Sequence, residues 1–176
     1  MKRISIQLYA SSCGELILGS LNDELVLCDW RYRRMRFAID KRIKERAGAE
    51  YVEESSPIIE LAKVQLNEYF SGRRKVFDVP LRFIGTDFQK SVWEQLQKVR
   101  FGQTATYLDL ANAMGTPESV RAVANANGAN ALSIFVPCHR IIGSDGALVG
   151  YAGGLQAKRK LLDLENESQS ELPLTA

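Results

Sequence analysis

The chain begins with apolar and polar residues in alternation, a pattern typical of strands. Ile4, Ile6 and Leu8 alternate with polar positions, and two further apolar runs follow turn-prone stretches at residues 11–14 and 22–23. This spacing predicts a small antiparallel meander.

From Ser56 to Ser71, the apolar residues recur at helical spacing and no longer at every second position. Ser56 before Pro57 is a typical helix start, and apolar residues at helical spacing follow as far as Ser71-Gly72. Alternating apolar positions over residues 77–83 predict another strand. We interpret residues 1–85 as an α+β lobe in which no pattern indicates chemistry.

Residues 31–46 form a basic segment whose role the sequence leaves open. Its pattern fits a helix with a solvated face, and a stripe that binds phosphates is the alternative. We assign it no function from the sequence.

The second half of the chain has a different, mainly helical pattern. Thr86 and Gln89 form a capping box before an amphipathic helix, and Thr106 is a cap for the next one. Gly115 supplies a left-handed stop, and Pro117 restarts a helix at once. The outline is that of a helix-turn-helix, although helical hairpins without DNA-binding roles are common.

The second helix of this pair has two different faces. Val120, Val123 and Ala124 face inward, whereas Arg121 and Asn125, four residues apart, share the opposite face. Its small residues allow close approach to a bulky partner; they are Ala122, Ala124 and Ala126. Taken alone, Arg121 is better explained as an exposed surface arginine.

Composition narrows the classes of protein that fit. The chain has 176 residues, 45% of them hydrophobic, with a net charge of +2. No apolar run approaches the roughly 18 residues of a membrane span, and the start does not resemble a signal peptide, so the cytoplasm is the expected location. Three cysteines without a CxxC pair and a single histidine indicate neither a disulfide framework nor a metal site.

The strongest local feature is the run Ser133–Arg140, in which an apolar, strand-like stretch stops at Pro137 and is followed by Cys138 and His139. Because proline cannot continue a central ladder, we expect Cys138 at the end of a strand, where it can be reached. A neighbouring imidazole that takes the thiol proton is the usual route to a reactive thiolate. A buried structural cysteine beside a core histidine is the alternative that the dipeptide leaves open.

Pro137-Cys138-His139-Arg140 has flanks that make it specific: Arg121-Ala122-Val123 and Asn130 precede it, and Gly150-Tyr151-Ala152-Gly153-Gly154-Leu155 follows. With this order and spacing, residues 86–165 closely resemble the O6-alkylguanine-DNA alkyltransferases (methylated-DNA–protein-cysteine methyltransferases). The resemblance implies an α+β fold, with a small amino-terminal lobe containing an antiparallel sheet and a mainly helical domain with a helix-turn-helix. It divides the chain at residues 1–85 and 86–165, and we expect residues 166–176 to be disordered.

The resemblance implies direct transfer of an alkyl group from O6-alkylguanine, and from O4-alkylthymine, to the protein's own cysteine. Cys138 would be the acceptor, and His139 would take its proton. Glu165 would orient and stabilise the imidazolium through water, and Asn130 would tie the recognition helix to the strand that carries Cys138.

The same resemblance implies a DNA-binding surface and a base pocket. Arg121 would fill the gap left by the flipped base, and Tyr107 would push on the flanking phosphate and donate a hydrogen bond to the purine. The other DNA-contacting residues would be Ser119, Ala122 and Asn125. The base pocket would be formed by Ile141, Gly150, Tyr151, Ala152 and Gly153.

The implied protein is a monomer that acts on double-stranded DNA, needs no cofactor or metal and does not associate with membranes. Its thioether product offers no carbonyl for water to attack, so each molecule would react once. Two alternatives are a non-catalytic lesion-binding protein, which Cys138 argues against, and a cysteine hydrolase, which would require an oxyanion hole and repeated turnover.

Overall fold

The computed structural model describes residues 1–170. A sheet in the amino-terminal part has strand order β3-β2-β1-β4, and a separate two-stranded pair joins β5 and β6. The strands are β1 (Lys2–Ser11), β2 (Gly14–Leu21), β3 (Glu24–Trp30), β4 (Ala49–Glu53), β5 (Ala105–Thr106) and β6 (Ile141–Ile142). The α-helices are α1 (Arg36–Ala47), α2 (Pro57–Phe70), α3 (Asp87–Leu96), α4 (Tyr107–Ala113), α5 (Val120–Gly128) and α6 (Leu155–Ser170).

The predicted meander is confirmed, and one strand was missed. β1 pairs antiparallel with β2 in a register that places Leu8 opposite Ile17, and β2 continues antiparallel to β3. β4 was not predicted; it adds parallel to the free edge of β1, with Arg3 opposite Glu50. Because a parallel pair needs a crossover, the basic helix α1 connects the meander to this edge strand.

The predicted strand at residues 77–83 is wrong. Only an isolated bridge forms there, between Leu81 and Leu25, and the backbone N–H of Leu25 donates to the carbonyl of Pro80 at 2.8 Å. Pro80 has no N–H to give to a ladder, so the pairing cannot extend into a regular strand.

The predicted helix starts are confirmed by their caps. Ser56 Oγ accepts from the N–H of Ile59 at the start of α2, and Thr86 and Thr106 each form a capping box, at α3 and α4. Gly115 has a φ of +74°, and a 3₁₀ turn over Pro117–Ser119 precedes α5. α4 and α5 therefore form the predicted helix-turn-helix pair.

The main hydrophobic core is shared by the two halves of the chain. It includes Leu18 of the sheet, Leu66 of α2, Val92 of α3, Val123 of α5 and Leu161 of α6, all of them fully buried. Helix α5, the recognition helix that the resemblance implies, and the carboxyl-terminal helix α6 are consequently packed against the amino-terminal part. The division at residue 85 stays a prediction.

Residues 166–170 are helical, contrary to the predicted disordered tail. They continue α6, which ends at Ser170. Residues 171–176 lie outside the described part of the chain.

Across residues 1–170, no helix combines the length and the apolar character needed to cross a membrane.

Candidate active site

Cys138 lies at the start of a 3₁₀ turn, Cys138–Arg140, and not at the end of a strand. The preceding run turns sharply at Ile134, where φ is +75°, and it forms only the isolated bridges Ser133–Val136 and Leu132–Cys28. A β-branched residue rarely adopts a positive φ, so the surrounding packing must hold this turn in place. The expectation of a strand was wrong for this reason.

The Cys138 side chain is also less accessible than expected, with 3% of the residue exposed. It lines a cavity of about 320 Å³, a volume suited to one small organic group. The other lining residues are Arg33, Arg34, Met35, Tyr107, Ala124, Asn127, Gly128, Gly150, Tyr151 and Ala152. A reactant can therefore reach the sulfur through this cavity.

Asn130 connects the end of α5 to the cysteine. Its Nδ2 donates to Cys138 Sγ at 3.2 Å and to the carbonyl of Val136 at 3.0 Å, while its Oδ1 accepts from the N–H of Leu132 at 2.9 Å. Both donors of this buried amide and its oxygen are thus used to fix the turn and the sulfur.

Glu165 contacts His139 directly, whereas the resemblance implied a contact through water. His139 Nε2 and Glu165 Oε2 are 2.6 Å apart, and both residues are almost fully buried. With Nε2 directed at the carboxylate, Nδ1 is the nitrogen available to accept a proton. No partner for Nδ1 and no hydrogen bond between the imidazole and Cys138 is found within residues 1–170.

The Glu165 carboxylate is the centre of a buried network. Arg140 Nε donates to Oε1 at 2.7 Å, the Tyr69 hydroxyl donates to Oε2 at 2.7 Å, and the N–H of Gly102 donates to Oε1 at 3.3 Å. Burial alone would raise the pKa of Glu165, but the hydrogen bonds from His139 and Arg140, the charge of Arg140 and that of His139 when it is protonated lower it to about 2. The group is therefore an anion at neutral pH.

Burial decides the protonation states of the cysteine and the histidine. It raises the pKa of the Cys138 thiol, and the hydrogen bond from Asn130 offsets this only in part. It lowers the pKa of His139, against the opposing effect of Glu165. The resting pair at neutral pH is a thiol and a neutral imidazole, so a base is present for the proton that the thiol must lose.

The segment between β6 and α6 forms one wall of the cavity. Gly150 has a φ of +51°, and it lines the cavity together with Tyr151 and Ala152. Lys158, which sequence analysis missed, is fully buried, and its Nζ donates to the carbonyls of Ile141, Val149 and Gly150. This lysine of α6 therefore connects β6 with residues 149 and 150 of the segment.

Two predicted pocket residues do not line the cavity. Ile141 is fully buried in β6, where it pairs with Ala105. Gly153 packs against the Trp30 ring, and a Cβ at this position would lie 2.5 Å from the ring. Trp30 also donates from Nε1 to the Tyr151 hydroxyl at 3.2 Å. Gly153 therefore supports the cavity wall indirectly, through Trp30 and Tyr151, without lining the cavity itself.

The predicted DNA-contacting residues lie on the two helices of the helix-turn-helix and on the turn between them. Arg121, Ala122 and Asn125 are exposed on α5, Ser119 is half-buried in the 3₁₀ turn, and Tyr107 is half-buried at the start of α4. Tyr107 belongs to both parts of the site, because this predicted DNA-contacting residue also lines the cavity that contains Cys138.

Ala126 does not belong to that surface. It is buried, and its carbonyl accepts from Trp93 Nε1 at 2.8 Å. The expectation that it allows close approach to a partner was wrong because its side of α5 packs against α3.

The amino-terminal lobe takes part in the site, although its sequence indicated no chemistry. Arg33 pairs with the buried Asp29 at 3.1 Å, and its Nη2 donates to the carbonyl of Gly128 at 2.6 Å. Arg42 Nη2 donates to the next carbonyl, Ala129, at 2.9 Å. These arginines fix the end of the recognition helix just before Asn130. The sequence shows that the segment containing these arginines is basic, but the spacing of its residues gave no indication of the groups that Arg33 and Arg42 contact.

No group of three or more histidine, cysteine, aspartate or glutamate side chains in residues 1–170 is arranged to hold a metal ion.

Comparison with known proteins agrees with this geometry. The family model for the "6-O-methylguanine DNA methyltransferase, DNA binding domain" matches residues 87–167. The constitutive methylated-DNA–protein-cysteine methyltransferase of Bacillus subtilis is 48% identical over 160 residues, covering 90% of this chain and 93% of its own length. The inducible enzyme of the same organism is 43% identical, covering 90% of this chain and 83% of its own length.

Solved structures extend the likeness to the whole fold. The O6-methylguanine methyltransferase of Mycobacterium tuberculosis superposes with a TM-score of 0.79 at 35% identity, covering 99% of this chain and 96% of its own. A crystal structure of that organism's protein in complex with DNA superposes with a TM-score of 0.79 at 35% identity, covering 94% of this chain and 94% of its own. The chain belongs to the methylated-DNA–protein-cysteine methyltransferase family.

Proposed function

We propose that this protein repairs DNA by transferring the alkyl group of O6-alkylguanine, and of O4-alkylthymine, to the sulfur of Cys138. One observation carries the proposal: the Asn130-bound Cys138 thiol lines a cavity of about 320 Å³ and is followed in the chain by His139, which contacts Glu165 in the core. Relatives named for this activity and a similar protein solved with DNA support it.

The reaction begins with loss of the thiol proton. Because the imidazole makes no direct hydrogen bond with the sulfur, the proton passes through a bridging water to Nδ1 of neutral His139. The Glu165 anion stabilises the imidazolium that forms. The thiolate then attacks the alkyl carbon in line with the departing O6. A sulfur–carbon bond forms, the carbon–oxygen bond breaks, and the bonding electrons leave with the purine.

The purine leaves as a neutral base when it gains a proton, so the proton that the thiol lost ends on guanine in the balanced reaction. Tyr107 lines the cavity and donates the hydrogen bond that assists this departure. The protein retains a thioether. Since a thioether has no electrophilic carbonyl, water does not regenerate the thiol.

The lesion reaches this cavity only after it rotates out of the duplex, because the O6 atom lies within the base stack. Arg121 is exposed on the recognition helix and occupies the gap that the nucleotide leaves. Ser119, Ala122 and Asn125 contact the neighbouring DNA.

We further propose that the protein acts as a monomer, without a cofactor, in the cytoplasm. Reducing conditions there keep a free cysteine as a thiol, and Cys13, Cys28 and Cys138 are all free in this structure.

The test is a stoichiometric transfer assay with an O6-methylguanine duplex in excess. The wild-type protein is expected to remove one methyl group per molecule and then stop, and Cys138→Ala is expected to bind the duplex while removing none. Repeated turnover would favour a cysteine hydrolase. Binding without any removal by the wild type would favour a non-catalytic lesion-binding protein.

A further inference from the structure

The basic segment at residues 31–46 contains cations with different surroundings. Most of them have a partner within the protein. The ion pairs are Arg31–Glu15, Arg33–Asp29, Arg36–Asp40, Lys41–Glu45 and Lys44–Glu50. Arg42 and Arg46 donate to the backbone carbonyls of Ala129 and Gly85. The segment as a whole is therefore not a free cationic stripe.

Arg34 differs from these neighbours. It is exposed, and no acidic side chain or carbonyl within residues 1–170 forms an ion pair or hydrogen bond with it. The buried residue before it, Arg33, is held by Asp29, and α1 begins two residues later, so the backbone at Arg34 is anchored on both sides.

The position of Arg34 is also distinctive. Together with Met35 it lines the cavity that contains Cys138, where the amino-terminal lobe faces Asn127 and Gly128 of the recognition helix. Met35 is 54% exposed, and the nearby Tyr32 is 77% exposed. A free guanidinium flanked by exposed apolar side chains at a pocket for a nucleobase matches a nucleotide, which has an anionic phosphate and an apolar sugar face.

We propose that Arg34 is a DNA-binding residue that pairs with a backbone phosphate of the lesion-bearing strand, beside the nucleotide that enters the cavity. This places a DNA contact on the amino-terminal lobe, outside the residues that the DNA-binding family model matches. The inference rests on the proposed function, because DNA reaches Arg34 only if the lesion enters the cavity next to it. Continuity with the cavity and charge complementarity both favour nucleic acid as the occupant of this surface.

The experiment is equilibrium binding of a lesion-free duplex, measured by fluorescence anisotropy over a range of salt concentrations. A single phosphate contact contributes about 0.9 to the slope of log affinity against log salt concentration. Arg34→Ala is therefore expected to reduce that slope by about one and to weaken binding roughly five- to tenfold near 0.1 M salt. Arg34→Lys keeps the charge and is expected to retain the wild-type slope.

Lys41→Ala is the matched control, since it removes one positive charge from the same basic segment at a residue that does not line the cavity. It is expected to retain the wild-type affinity and slope. Equal binding by Arg34→Ala and the wild type would overturn the inference, as would an equal loss in Lys41→Ala. A wild-type protein that neither binds duplex nor accepts an alkyl group would instead overturn the proposed function.

Discussion

Arg140 contacts both carboxylate oxygens of Glu165: its Nε lies 2.7 Å from Oε1 and its Nη2 lies 3.3 Å from Oε2. Arg140 also donates from Nη1 to the carbonyl of Val99 at 2.7 Å. The arginine thus fixes the acid that contacts His139, which explains how the residue after the histidine contributes to the site without lining the cavity.

Glu165→Gln is expected to destabilise the protein because it leaves the buried Arg140 without its counter-charge. Removing one partner of a buried pair costs roughly 3–5 kcal/mol. Urea unfolding at pH 7 measures this loss. Asp163→Asn, the same change at an exposed position of α6, is the control, expected to alter the free energy of unfolding by less than about 0.5 kcal/mol. Equal stability of the two variants would show that the network carries no net stabilisation.

The stabilisation from Glu165 is expected to depend on pH in a defined direction. Its pKa is lowered from the ordinary 4.5 to about 2, so the folded protein favours the anion. The contribution is fully present above about pH 4.5 and is lost as the pH falls towards 2. The difference in unfolding free energy between wild type and Glu165→Gln should shrink over that interval. A difference that grows in acid would reverse the sign and contradict the assignment.

Gly153→Ala is expected to displace the cavity wall, since its Cβ would lie 2.5 Å from a Trp30 ring that is itself buried in the core. Overpacking of this kind costs roughly 1–3 kcal/mol. Thermal unfolding should show a lower Tm. Gly128→Ala provides the comparison, because a Cβ there meets nothing within 4 Å and the residue lies in a helix. A Tm for Gly153→Ala as high as that for Gly128→Ala would refute the close contact.

Arg121→Ala is expected to slow transfer from a duplex at least about tenfold, because the flipped state loses the side chain that fills the stack. Transfer from the free O6-alkylguanine base needs no flipping, so the ratio of the duplex rate to the free-base rate should fall. Single-turnover rates with both substrates measure this ratio. Arg3→Ala, at an exposed arginine of β1 paired with Glu54, controls for loss of one charge. An unchanged ratio in Arg121→Ala would remove the residue from the flipping step.

The sequence predicts the helices whose starts are determined by contacts between neighbouring residues. Caps at Ser56, Thr86 and Thr106 determine where helices begin, and each is a contact between residues close in the chain. The motif around Cys138 identified the family, but not the local backbone. There, the apolar run at residues 133–136 packs as a turn because Ile134 is held at a positive φ by tertiary contacts.

Long-range partners were beyond the reach of sequence patterns. Lys158 looks like a surface lysine of an amphipathic helix, yet it binds three carbonyls in the interior. Arg33 reaches the carbonyl of Gly128 across the molecule, which no periodicity encodes. The amino-terminal lobe therefore contributes to the site through contacts that exist only after folding.

The most direct test of the central claim is the mass of the intact protein after exposure to an O6-methylguanine duplex, followed by peptide mapping. The proposed mechanism predicts an increase equal to one methylene group, confined to the peptide that contains Cys138, with Cys13 and Cys28 unmodified. An unchanged mass, or an added carbon on any other side chain, would contradict it.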